Sequence, residues 1–217
     1  MFSSAAPEPA PFTHFHSGDY ATANAQMEEA ILLADEKGAL IWKAWATMQR
    51  GCVLALTGKP SDAVHTINSG ITAWRSTGST LWLPLYLTYL ARGSAMLGRF
   101  EDAWRRVGEA NTAMDVTRER WCEAEVHRVA GEITLLSPER DAAKAAAHFQ
   151  RALEIARLQR AKSWELRAAM SMARLRRDHG KRDEARDLLA SVYGWFTEGF
   201  DTLDLKDARV LLDELSS

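Results

Sequence analysis

Apolar residues recur along this chain at helical spacing, and the recurrence itself repeats. Ala23, Ala63, Ala103, Ala145 and Ala185 stand 40, 40, 42 and 40 residues apart. Four residues after each comes an apolar side chain: Met27, Ile67, Val107, Phe149 or Leu189. Seven after each comes Ala30, Gly70, Ala110, Ala152 or Val192. Positions i, i+4 and i+7 share one helix face, so the pattern predicts five equivalent helices. The small residue at a fixed site lets a neighbouring helix come close. Gly18, Gly58, Gly98 and Gly180 each precede the marked alanine by five residues, where a glycine ends one helix and opens the turn to the next. A third series, Gly51, Ala91, Gly131 and Ala173, marks the helix before each turn. Its spacings of 40, 40 and 42 put the two extra residues of one unit in the turn at Ser137-Pro138.

Each unit therefore reads as helix, turn, helix. First helices are expected over 39–57, 81–97, 120–136 and 163–179. Second helices are expected over 19–37, 61–76, 100–117, 141–160 and 181–197. This divides the chain into a half unit (13–37), units 39–77, 80–117, 120–160 and 163–199, and a last helix over 202–216. Thr202 or Asp201 can cap that last helix. Its stripe of Leu205, Ala208, Leu211, Leu212 and Leu215 faces inward, and its other face is acidic. A solenoid needs such a cover at an open end. Residues 1–12, with Pro7, Pro9 and Pro11 alternating, read as a flexible tail.

Composition narrows the class. The chain has 35 Ala and 24 Leu against 14 Val and Ile together, which favours an all-α architecture. A net charge of −2 argues against nucleic acid and anionic membrane as partners. No apolar run approaches a membrane span, and no basic-then-apolar N-terminal segment reads as a secretion signal. Cys52 and Cys122, far apart in helical surroundings, read as reduced thiols filling space in a cytoplasmic protein.

The segments GDYATANAQMEEAILLA, GRFEDAWRRVGEA, AAKAAAHFQRALEIA and GKRDEARDLLA resemble tetratricopeptide repeats, in a form of about 40 residues instead of the usual 34. The resemblance covers residues 13–216 and implies a right-handed α-solenoid of helix pairs. It also implies that first helices line the concave face and that the chain binds a protein or peptide. Ala39–Gly51, Gly70–Gly78, Ala152–Asp178 and especially SVYGWFTEGFDTLDLKDARVLLDEL (192–215) resemble a narrower group. That group is the C-terminal repeat region of bacterial signalling proteins that join a class III adenylate/guanylate cyclase or activator domain to a signal-transducing ATPase. No Gly-x-x-x-x-Gly-Lys-Ser/Thr loop is present, so no catalytic residue carries over and no cofactor is expected. The first unit reads as truncated, and its exposed half repeat is a surface through which a second copy could associate.

His14 and His16 read as end residues, and His65, His127, His148 and His179 lie in different units without a second ligand at i+3 or i+4. No metal is expected. The Trp content is more telling. Trp42, Trp45, Met48 (or Gln49) and Cys52 form a stripe on one first helix, and Trp82, Leu85, Tyr89 and Arg92 form its equivalent on the next. Such stripes serve either inter-unit packing or a groove floor. Arg128, Arg167 and Arg174 are expected to project toward the same concave side. The expected binding groove thus comprises Trp42, Trp45, Met48, Trp82, Leu85, Tyr89, Arg92, Arg128, Arg167 and Arg174. It would suit a segment apolar at one end and acidic at the other. Charge is also uneven: residues 157–182 are strongly basic and residues 183–217 strongly acidic, which ordinary ion pairing between neighbouring faces would absorb.

Overall fold

The computed structural model describes residues 11–217, with side chains from residue 13. Among the described residues it contains eleven helices and no strand. A short α1 (Pro11–Ser17) leads into α2 (Tyr20–Glu36). Four helix pairs follow: α3 (Leu40–Leu56) with α4 (Pro60–Ser76), α5 (Leu83–Met96) with α6 (Phe100–Thr117), α7 (Glu123–Leu136) with α8 (Ala142–Gln159), and α9 (Lys162–Asp178) with α10 (Arg182–Tyr193). The chain closes with α11 (Leu203–Ser216). Helices pack mainly against their neighbours in sequence, as in a helix-pair solenoid.

The repeating alanines explain the packing. Ala23, Ala63, Ala103, Ala145 and Ala185 are all fully buried, as are Met27, Ile67 and Leu189. A Cβ on Gly51 would lie 2.4 Å from Ile67 Cγ1, and one on Gly131 would lie 2.4 Å from the Phe149 ring. The first and second helices of these units approach so closely that no side chain fits between them. Gly18, Gly58, Gly98 and Gly180 adopt φ of 84, 77, 73 and 76°, the left-handed conformation that ends a helix. Turns inside units span three residues, except the one after α7, which spans 137–141. The two-residue insertion is therefore where the spacings put it. Asp141 closes that turn by accepting from the Lys144 amide at 2.9 Å.

Several boundaries differ from the sequence pattern. α1 begins at Pro11, within the stretch read as tail, because proline is tolerated in the first turn of a helix. The rest of that expected tail lies outside the described residues. α5 starts only at Leu83, because Trp82 takes a left-handed φ of 59° and its N–H donates to Glu119 at 2.8 Å. α10 stops at Tyr193, earlier than expected, where Gly194 is its C-cap. Thr202 occupies the N-cap position of α11, yet its hydroxyl donates backward to the Gly199 carbonyl at 2.7 Å instead of capping the helix.

Charge docks the cover. Leu205, Ala208, Leu211 and Leu215 of α11 are buried against the last unit. Around them Arg167 pairs with Asp204 at 2.6 Å and Arg177 with Glu214 at 2.7 Å, and Arg182 donates to the Glu214 carbonyl. The basic segment thus pairs with the acidic one at Glu184, Asp204 and Glu214. Gly18, in the turn after α1, meets Leu203 at the start of α11: a Cβ on Gly18 would fall 2.2 Å from Leu203 Cβ. The solenoid therefore curls until its two ends touch.

Candidate functional site

Arg92, Arg128, Arg167 and Arg174 come from α5, α7 and α9, and all four line one concave cavity of about 180 Å³. The same wall carries Tyr20, Ser171, Glu132, Asp204 and Asp207. The four arginines of the expected groove thus share one cavity, but most are already engaged. Arg128 is buried and holds Glu125 in a two-pronged pair at 2.6 and 2.7 Å, and it also pairs with Glu132. Burial pushes the Glu125 carboxyl up, and the adjacent Arg128 guanidinium outweighs it and holds the group below its ordinary value. Arg92 lies 3.6 Å from Glu132, and Arg167 bonds Asp204 while lying 5.1 Å from the Trp164 ring centroid. Arg174 alone of the four has no carboxylate within ion-pairing distance among the described residues.

The aromatic half of the expected groove divides. Met48, Leu85 and Tyr89 are buried in the core, so none of them is offered to an outside ligand. Met48 is held against Gly70 of the second helix, where a Cβ would meet Met48 Cγ at 2.6 Å. Leu85 is lost because α5 is buried on almost every side, from Leu83 to Ala91 without a break. Tyr89 does point toward the concave side, but the Phe15 ring of α1 covers it edge-on at 5.9 Å. Trp45 and Trp82 are half-buried, and Trp42 is 61% exposed with its ring edge-to-face on Trp45 at 6.2 Å.

What remains exposed gathers elsewhere. Successive helices joined by short turns run antiparallel, so the turns between units collect on one edge. From the turn before α5 onward, these turns touch in series. The Trp82 amide reaches Glu119, Gln159 donates to the Arg120 carbonyl at 2.7 Å, Trp121 lies 6.5 Å from Trp164, and Lys162 sits 5.3 Å from the Trp195 ring. Large apolar side chains stand out along them: Leu40, Ile41 and Trp42, then Leu81, Val116, Leu158, Trp195 and Phe200. Val116 and Leu158 are 75% and 86% exposed and occupy equivalent places in adjacent units. Two residues after each comes an arginine with positive φ, Arg118 at 63° and Arg160 at 55°, where the earlier units have Gly38 and Gly78. Neither arginine has an ion-pair partner among the described residues.

The sequence pattern passes over these edge residues, although the series Gly38, Gly78, Arg118 and Arg160 has the same 40, 40 and 42 spacing as the rest. It also separates His127 from His148, whose rings the structure places 6.0 Å apart beside Trp104. Burial lowers both imidazoles. Among the described residues no group of three His, Cys, Asp or Glu could hold a metal ion, and no helix is long and apolar enough to cross a membrane. Cys52 and Cys122 are buried and unpaired, and burial pushes the Cys122 thiol up to about 12.

No family model and no curated protein matches the chain. Among solved structures, two crystal structures from Podosopora anserina are similar, one of them a point variant, of a protein described as a kinesin light chain with nearly identical TPR-like repeats. They superpose with TM-scores of 0.55 and 0.53 at 14% identity, covering 85% of this chain and 90% of theirs. At that identity the likeness speaks to architecture alone: the chain has the fold of a TPR-like helix-pair solenoid.

Proposed function

We propose that the chain is a non-catalytic interaction module whose partner is a protein segment lying along the inter-unit edge. The observation that carries this reading is the set of large exposed apolar side chains between Leu40 and Phe200 along the inter-unit turns, several of which touch one another. Apolar surface gathered on one edge is costly in water unless something covers it. Trp42 and Trp195 anchor its two ends. Arg118 and Arg160, flanking Val116 and Leu158, favour carboxylates on the covering segment, so the acidic character expected of the partner is matched here and not in the concave cavity.

Capture from a lysate by the wild-type chain, beside Leu158→Ser and Arg118→Glu/Arg160→Glu variants, tests this. Both variants should fold as the parent does, since these side chains are exposed, and both should lose the partner. Equal retention by all three would remove the edge from consideration.

A second reading rests on Tyr193–Thr202, the run that resembles the repeat region of cyclase–ATPase signalling proteins. Here it forms an aromatic knob, with Trp195 and Phe200 exposed and the Tyr193 and Phe200 rings 5.9 Å apart. On this reading the chain regulates catalytic domains carried by further sequence. A reading frame encoding a cyclase or ATPase domain in line with this chain would favour it, and nucleotide turnover by the purified 217 residues would contradict both readings.

A further inference from the structure

The second helices of successive units differ at two positions beside their buried alanine. Counted from Ala63, Ala103 and Ala145, the residues three before and one after are Pro60 and Val64 in α4, Phe100 and Trp104 in α6, and Ala142 and Ala146 in α8. In α4 this pair packs on the next unit: a Cβ on Gly93 of α5 would lie 3.1 Å from Val64 Cγ2 and 3.7 Å from the Pro60 carbonyl oxygen. In α6, Phe100 packs half-buried against the core, and the Trp104 ring lies 6.0 Å from the His148 ring of α8. In α8 two methyl groups stand where the preceding unit has a phenyl and an indole. The facing first helix does not make good that loss of volume, because Leu175 of α9 is about the size of Ile133 at the same place in α7.

A cavity of about 520 Å³ lies at this junction, between α8, the end of α9 and the start of α10. Ala142 and Ala146 floor it together with Met172 and Leu175, which are buried in the core. Charge gathers at its rim. Glu184 is the one carboxylate among the described residues that line it, and it serves two cations, Arg176 at 4.0 Å and Lys181 at 3.8 Å. One positive charge is therefore in excess, and both ion pairs are long. The Arg176 guanidinium is held at the rim by donating to the Glu184 carbonyl at 3.1 Å. Apolar walls of this extent with a few charges at the mouth are the form that small-molecule sites take.

We propose that this cavity binds a small molecule carrying an aromatic ring and a carboxylate. The ring takes the place that the Trp104 indole holds one unit earlier, and the carboxylate meets Arg176 and Lys181. A guanidinium and an ammonium side by side suit a carboxylate, which accepts charge-assisted hydrogen bonds from both. The site belongs to the turns inside units, on the edge opposite the inter-unit turns, so it stands apart from the protein partner proposed there.

The probe is indole-3-propionate, titrated into the full chain by calorimetry beside its neutral amide. The wild type should bind the acid at one saturable site. The amide, and the acid with Arg176→Gln/Lys181→Gln, should each bind about tenfold more weakly, the cost of a lost charge-assisted contact. Ala146→Trp should abolish binding without lowering Tm, because the same side chain is accommodated at the equivalent place in α6. Leu158→Ser, on the inter-unit edge, should bind as the wild type does. If Ala146→Trp fails to fold, the amide and the double variant at the exposed rim decide. No binding by the wild type, undiminished binding by a folded Ala146→Trp, or equal binding of acid and amide would each overturn the proposal. Loss of binding in Leu158→Ser would move the indole to the edge and overturn it as well.

Discussion

Arg128→Met removes the guanidinium that neutralises Glu125 while keeping most of the side-chain volume. The two side chains are 8% and 1% exposed, so the carboxylate would be left charged, unpaired and out of reach of water. Breaking a buried pair from one side costs about 3–5 kcal/mol, because the remaining charge keeps its desolvation penalty. For a chain of this size that corresponds to a fall of roughly 6–20 °C in Tm. Replacing both partners, as Glu125→Leu/Arg128→Met, should restore most of the loss, since Glu132 still has Arg92 at 3.6 Å. The pH response carries the diagnostic sign. In the wild type Glu125 is held below its ordinary value of 4.5, so its contribution is present above that pH and fades as pH falls through the lowered folded value. Without Arg128, burial, the largest effect, is opposed only by the weaker attraction of Arg167 and Arg92, and the folded value rises. The native carboxyl then takes up a proton before the unfolded one, and Arg128→Met should gain stability between pH 7 and 5 on acidification. Thermal unfolding followed by circular dichroism at the two pH values measures all of this. A single-variant loss under about 1 kcal/mol, or a double variant as unstable as the sum of the singles, would refute the reasoning.

Three further outcomes are expected. Met48→Ala should cost about 2–5 kcal/mol in denaturant unfolding, whereas Trp42→Ala should stay within about 0.5 kcal/mol, because one side chain is fully buried and the other largely exposed; similar losses would mean the first helix of that unit is turned differently. Cys52 and Cys122 should resist a thiol reagent until the chain unfolds, since burial holds both thiols protonated, and stoichiometric labelling of the native chain would contradict their placement. His16 is lowered from 6.5 to about 4, by burial first and then by Arg167, against a smaller opposing effect of Glu125. It sits neutral in the folded chain, so the unfolded segment takes up a proton first and the hold on α1 weakens as pH falls from 6.5 toward 4. Hydrogen exchange of α1 should rise over that range in the wild type and stay flat in His16→Gln.

The architecture was legible because the constraint behind it repeats. A small residue at Ala23, Ala63, Ala103, Ala145 and Ala185 and a left-handed glycine five residues earlier recur wherever two helices must nearly touch, and spacing alone reveals them. The candidate site was legible only in part. A stripe such as Trp42, Trp45 and Met48 identifies an exposed face when one side of a helix meets water, but α3 and α5 are covered on nearly every side, so the stripe crosses from surface to core without a change in residue type. The arginines of the expected groove share one cavity, because charge must stay near other charge or water. Their carboxylate partners, several on other helices, could not be paired by periodicity. Tyr89 was hidden by Phe15, a contact between parts of the chain that no local pattern links.

The meeting of Gly18 with Leu203 has a consequence for how such a chain can vary. In an open solenoid each unit touches only its neighbours, so units can be gained or lost with little effect at the far end. Here the two ends are in register with each other, and the curvature summed over every unit must deliver α11 to the turn after α1. One additional helix pair would shift that meeting point by about 10 Å or more, the spacing of packed helices. Gly18 would then face solvent, and α1 would lose the wall that its turn leans on. The number of units is therefore part of the specification of this molecule, as strand number is for a closed barrel, and length variants that keep the repeat pattern intact should still fail to close.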